Sequence, residues 1–126
     1  MMGLFWVAIG GALGAMARYG VAVGSVKLLG SSFPYGTLIV NTVGAFAALF
    51  ILTLLSEKLL LVPALRLFLV VGFLGAFTTF STYTFESILL IEAGQWGRAL
   101  LNLLLNNGLS LLAGVLGIAA ARVFVS

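Results

Sequence analysis

A single all-α integral membrane domain over residues 1–126, with four transmembrane helices, is the fold class this sequence predicts, and three observations carry it. Hydrophobic residues fill 63% of the chain and charged residues 7%, with a mean hydropathy of +1.29, outside the range of a soluble globular domain. The apolar residues run in stretches of about 20 or more, the length a helix needs at ~1.5 Å per residue to cross roughly 30 Å of hydrocarbon. Turn-forming and charged residues fall mostly between those stretches.

The first span is expected over residues 4–28 and is followed by the turn-rich "GSSFPYG"; the second covers 36–55 and closes at "SEK". The third covers 64–90, and "EAGQWG" leads to the fourth, 98–123. Pro34 and Pro63 stand just before the second and third spans, where a missing amide donor costs little. The N-terminal "MMGLFWVAIGG" has no basic n-region, and its apolar run exceeds signal-peptide length, so it reads as a retained first helix. Cysteine and histidine are absent, which removes disulfides, thiolate ligands, and zinc and haem sites. The net charge of +3 is spread along helix ends, so nucleic acid is not an expected partner.

Four spans put both termini on one side of the membrane with Lys58, Arg66 and Arg122, against Lys27 and Arg98 on the other. A clear Lys/Arg excess is what sets orientation, so three against two permits insertion both ways and predicts dual topology with an antiparallel homodimer. No internal repeat supplies an inverted half within the chain, so a two-fold axis in the membrane plane requires a second copy. Trp6 and Trp96 fit interfacial anchors, and Glu57 and Glu92 fit solvated loop residues.

Small residues at spacing four (Gly10 and Gly14, Gly20 and Gly24, Gly72 and Ala76) read as close helix contacts. The polar residues need more explanation, because a buried amide or hydroxyl without a partner costs about 1–3 kcal/mol. Thr37, Asn41 and Ala45 share one face of the second span; Asn102, Asn106, Ser110 and Gly114 share one face of the fourth, with Asn107 beside them. Each amide alone could simply join helices, but two such stripes and a hydroxyl cluster on a third helix predict a lining accessible to water or ions. Among the ionisable groups inside the spans, Arg18 and Glu86 need explanation. Arg18 lies on the Gly11, Gly14 face, where it could snorkel, pair with carbonyls or attract an anion; Glu86 follows Thr79 and Thr82 and could carry a proton, organise hydrogen bonds or sit at the interface.

The stretch "GAFTTFSTYTF", residues 75–85, carries five Ser/Thr hydroxyls and a phenol inside the third span. Stiff β-branched threonines and hydroxyls that compete for carbonyls disfavour a continuous helix, and Gly72 and Gly75 stand just upstream, so a break is expected near residues 75–79. Backbone groups freed at membrane depth require protein, water or an ion to satisfy them. Carbonyls suit a hard cation, whereas hydroxyls, amides and aromatic edges suit a small anion, and the residues themselves leave both open.

"GGALGAMARY" (10–19), "GTLIVNTVG" (36–44) and "GFLGAFTTFSTYTFE" (72–86) together resemble the Fluc (CrcB) fluoride channels, and the length and four-span plan match throughout. The resemblance implies an antiparallel dual-topology homodimer in the cytoplasmic membrane, passing fluoride passively through two pores, with a structural Na+ at the dimer interface. Residue by residue it makes Asn41 a pore-lining amide and Phe80 the first of a pair of ring contacts. Ser81, Thr82, Ser110 and Glu86 match polar positions of the route, Arg18 matches the arginine of the first motif, and the backbone carbonyls of Gly75 and Thr78 match the sodium ligands. Thr37 and Asn106 join the pore from the stripes alone. Tyr83 stands where the family has a second phenylalanine, which keeps the ring edge and adds a hydroxyl. If the edge alone works, the phenol is incidental, as the family pattern favours; otherwise the hydroxyl has become a donor to the ion.

Two rivals share the four-span plan. A small multidrug transporter should carry an acid in its first span, but the first acid here is Glu57. A small proton-coupled transporter would use Glu86. An intramembrane enzyme lacks a familiar nucleophile and base, since His, Cys and Asp are all absent.

Overall fold

The computed structural model describes residues 1–57 and 62–126. Lys58, one of the cations in the orientation balance, lies outside the described residues.

Four helical spans, each long and apolar enough to cross a membrane, account for nearly all of the described chain. Helix α1 is Met2–Leu29 and α2 is Tyr35–Glu57. The third span, Pro63–Glu92, is composite: a short α3 (Pro63–Arg66), a π-helical stretch (Leu67–Leu74), α4 (Gly75–Phe77) and α5 (Phe80–Glu92). Helix α6, Trp96–Val125, completes the set. Each span runs one to two residues beyond its expected ends. Leu29 is stopped by Gly30, whose φ of 83° favours glycine, and its amide closes the last turn on the Val26 carbonyl. Pro63 opens the third span at a position where its lost donor has no helical partner anyway.

Helix α2 packs chiefly on α6, and α1 on the π-helical stretch. Backbone approach explains both pairings, because without a hydrophobic force between helices the contact must come from close packing. A Cβ built at Gly10 or Gly14 would collide with the Phe68 or Phe73 carbonyl oxygen at 2.2 and 2.1 Å, and one at Gly117 with the Phe46 carbonyl oxygen at 2.4 Å. Gly20 and Gly24 behave differently from the other spaced pairs: nothing lies within 4 Å of a Cβ at either, so they make no close contact inside the chain. Val40, Leu74 and Phe77 form the small buried apolar centre, against which Ala17, Val21 and Phe73 pack. Glu57 is also placed differently from the loop expected of it. It ends α2 and pairs with Arg122 of α6, Nε to Oε1 3.0 Å, tying two helix ends together.

Candidate functional site

The backbone is extended at Thr78 (φ −84°, ψ 155°) and Thr79 (φ −149°, ψ 122°), and helical geometry resumes at Phe80. In an uninterrupted helix the Thr79 amide would donate to the Gly75 carbonyl. Here it donates to Asn41 Oδ1 at 2.8 Å, while Asn41 Nδ2 donates to the Thr79 carbonyl at 2.9 Å. Ala76 would similarly receive the Phe80 amide; instead its carbonyl accepts from Arg18 Nε at 3.0 Å. The Thr79 hydroxyl caps α5 by accepting from the Thr82 amide at 3.2 Å and donates to the Thr82 hydroxyl at 3.1 Å. Arg18 from α1, Asn41 from α2 and the capping Thr79 thus satisfy several of the backbone groups released here, as a low-dielectric setting demands.

Asn41 begins a directed chain of hydrogen bonds. Its Nδ2 donates to Asn106 Oδ1 at 2.9 Å; Asn106 Nδ2 donates to the Asn102 carbonyl at 3.1 Å and to Asn102 Oδ1 at 2.8 Å. Asn102 Nδ2 donates to Ser87 Oγ at 2.9 Å, and Ser87 donates to the Tyr83 carbonyl at 2.8 Å. Asn102 is fully buried, and Asn106, Ser87 and Thr37 nearly so. The carbonyl of Asn102 can only accept, so it fixes the Asn106 amide nitrogen toward itself and makes Asn106 Oδ1 the acceptor for Asn41. Both N–H groups of Asn41 and both of Asn106 are therefore committed within the protein.

A cleft of about 440 Å³ opens beside this chain, lined by residues of α2, the composite span and α6, including Asn41, Gly75, Thr78, Thr79, Phe80, Tyr83, Asn106, Asn107 and Ser110. Ser110 Oγ is buried without a hydrogen-bond partner. Phe80 is 76% exposed, Tyr83 is buried, and their rings meet edge-on with centroids 5.4 Å apart at 66°.

The ten residues expected at the pore on sequence grounds, together with Gly75 and Thr78, divide as follows. Asn41, Phe80, Tyr83, Asn106 and Ser110 line the one cleft with Gly75 and Thr78, whereas Arg18 faces the Ala76 carbonyl from α1 and is not among the lining residues. Ser81 is exposed, its hydroxyl 3.4 Å from that of Thr79, and Thr82 bonds to Thr79 as described. Farther along α5, Glu86 Oε1 is buried without a hydrogen-bond partner, and Thr37 is the side chain facing that carboxyl group. Ser87 was not anticipated; its position four residues after Tyr83 on α5, facing the α6 amide stripe, is the only sequence signal for it.

The family model for "CrcB-like protein, Camphor Resistance (CrcB)" matches residues 5–118. The chain is 49% identical over 116 residues to the fluoride-specific ion channel FluC of Sulfurihydrogenibium sp. (strain YO3AOP1), covering 92% of this chain and 94% of that protein. It is 47% identical over 116 residues to the protein of the same name from Legionella pneumophila (strain Paris), covering 92% and 87%. With that from Magnetococcus marinus (strain ATCC BAA-1437 / JCM 17883 / MC-1) the identity is 44% over 121 residues, covering 96% and 98%. Matches of this extent, running through every segment that builds the cleft, establish that this multi-pass membrane protein belongs to the CrcB-like family.

Proposed function

We propose that this protein is a fluoride channel, not an enzyme, that passes the ion down its gradient across the cytoplasmic membrane. The observation that carries the reading is the cleft at Thr78–Phe80, where hydroxyls and an exposed ring border a largely apolar recess in a family whose relatives bear the name of fluoride channels. Fluoride holds its water tightly, so a pore must replace that water with compact neutral donors without a fixed cation that would trap the ion. Ser110, Tyr83 and the edge of Phe80 offer such groups.

The assembly proposed is an antiparallel, dual-topology homodimer with a pore on each side of the axis. The near-balance of lysine and arginine across the membrane supports it. The third span then acts as a broken helix whose interruption faces the partner: Gly75 and Phe80 are exposed in the single chain. A structural Na+ fits the carbonyls of Gly75 and Thr78. Gly75 has lost the Thr79 amide as helical donor, Thr78 is extended, and hard oxygen donors of this kind suit a hard cation. Bound there, the ion would supply charge that holds the two interruptions together.

Fluoride efflux from liposomes containing the purified protein tests the function. Efflux that follows the fluoride gradient is expected, and its absence from folded protein would overturn the proposal. The buried, unpartnered Glu86 Oε1 favours one second reading, a proton-coupled carrier. Efflux unchanged by an imposed pH gradient, and by Glu86→Gln, would count against that carrier; acceleration by the gradient would favour it.

A further inference from the structure

We infer that the Tyr83 hydroxyl is a hydrogen-bond donor to the permeating anion, and that Asn107 is the positioning residue that aims it. This rests on the fluoride-channel reading and adds a specificity-determining pair to it.

A census of the donors at the cleft leads there. The amides of Asn41 and Asn106 have no N–H to offer, since each donates both within the protein. The Thr78 hydroxyl donates to the Leu74 carbonyl at 3.0 Å, and the Thr79 hydroxyl donates to that of Thr82. Asn107 Nδ2 donates to the Leu103 carbonyl at 2.8 Å and to the Tyr83 phenol oxygen at 2.9 Å. Because the Leu103 carbonyl can only accept, the amide nitrogen must face it, and the second hydrogen of that nitrogen goes to Tyr83. The phenol oxygen is thus an acceptor in this contact, which leaves its own O–H to point elsewhere.

Among the described residues, the Tyr83 hydroxyl donates to no protein acceptor, and Ser110 Oγ has no partner at all. These two hydroxyls are therefore the uncommitted side-chain donors lining the cleft. A phenol that accepts a hydrogen bond while donating another is polarised toward stronger donation. The amide also fixes the tilt of a buried ring whose edge contact with Phe80 borders the same recess. Tyrosine here therefore adds an O–H to a ring position, and the amide on the facing helix gives that O–H its direction.

The test is fluoride efflux from liposomes at matched protein content for the wild type, Tyr83→Phe, Asn107→Leu and the double variant, each checked for assembly by size-exclusion chromatography. Tyr83→Phe removes one oxygen and keeps the ring, so it should assemble normally and slow efflux about tenfold or more, the effect of losing a hydrogen bond to a charged partner. Asn107→Leu should slow efflux in the wild-type background and have no further effect in Tyr83→Phe, because it acts through the hydroxyl. Tyr83→Phe conducting like an active wild type would overturn the inference and leave the channel reading intact. A further loss on adding Asn107→Leu to Tyr83→Phe would overturn the positioning role. An inert wild type would overturn the channel reading and this inference with it.

Discussion

Asn41 grips both backbone groups of Thr79, donating from Nδ2 to its carbonyl at 2.9 Å and accepting at Oδ1 from its amide at 2.8 Å. One side chain on α2 thus takes up the amide that a continuous third span would have bonded to Gly75, and adds a second bond at the Thr79 carbonyl. The second hydrogen of Nδ2 goes to Asn106, so the amide also ties the interruption to α6. Asn41 shapes the cleft by holding its wall, and in the proposed channel the hydroxyls are left to meet the ion.

Asn41→Asp follows directly. In aspartate an oxygen replaces Nδ2 and faces two acceptors, the Thr79 carbonyl and Asn106 Oδ1, so two hydrogen bonds worth about 0.6–2 kcal/mol each in a membrane are lost. A lower melting temperature in detergent and at least a tenfold drop in fluoride efflux are expected, the latter reinforced by carboxylate repulsion of the anion. Wild-type melting together with wild-type efflux would show that the grip on Thr79 is dispensable.

Glycine substitutions should rank by what their new Cβ meets. At Gly44 it would lie 2.2 Å from Thr78 Cγ2, so Gly44→Ala must displace the residue proposed to present a sodium ligand. Overpacking of this kind costs typically about 1–3 kcal/mol. Gly75 has a helical φ of −61° and only the Val70 carbonyl oxygen, at 3.7 Å, near its Cβ position, so neither strain nor a clash within the chain opposes Gly75→Ala. Thr78→Ser keeps the backbone carbonyl and the hydroxyl and should be tolerated. Detergent-resistant dimer should therefore fall most in Gly44→Ala; loss in Thr78→Ser with a normal Gly44→Ala would reverse the argument. A loss confined to Gly75→Ala would place a partner's backbone against that glycine.

The helices were legible because apolar length is a direct physical requirement of crossing a bilayer. The eight-residue π-helical stretch was not: Leu67–Leu74 is apolar on every side, and a sequence without polar periodicity cannot distinguish a π turn from an α turn. Spacing placed Asn41 and Asn106 on inward faces, yet their mutual bond and the spanning contacts from Arg18 to Ala76 and Asn107 to Tyr83 join residues 65, 58 and 24 positions apart. Such pairings depend on helix rotation and depth, which a one-dimensional pattern does not encode. Gly20 and Gly24 show the complementary limit: a small-residue pair announces close packing without saying whether the neighbour is in the same chain.

Orientation offers an independent check on assembly. With three cations against two across the membrane, Lys58 included from the sequence, neither insertion is strongly favoured. A tag on the C-terminus should be accessible from both sides in comparable amounts. A single orientation would rule out the antiparallel dimer while leaving the fold of the chain untouched.

Phe80→Ile separates the ring-edge contribution from everything else at the cleft. Phe80 is 76% exposed in the chain, so its ring contributes little to the interior, and replacing it should not unfold the helices. Isoleucine keeps an apolar side chain of comparable reach but has no electropositive edge, the feature of an aromatic ring that can face an anion. It also removes the edge-on partner of Tyr83, whose orientation is still held by the Asn107 amide. The variant is therefore expected to elute as a dimer on size-exclusion chromatography while fluoride efflux falls to the level of protein-free liposomes. Intermediate flux would assign part of the work to the Tyr83 and Ser110 hydroxyls, and adding Tyr83→Phe should then reduce what remains. Unimpaired efflux in Phe80→Ile would contradict a ring-edge contribution in this protein, whatever the Tyr83 variants do.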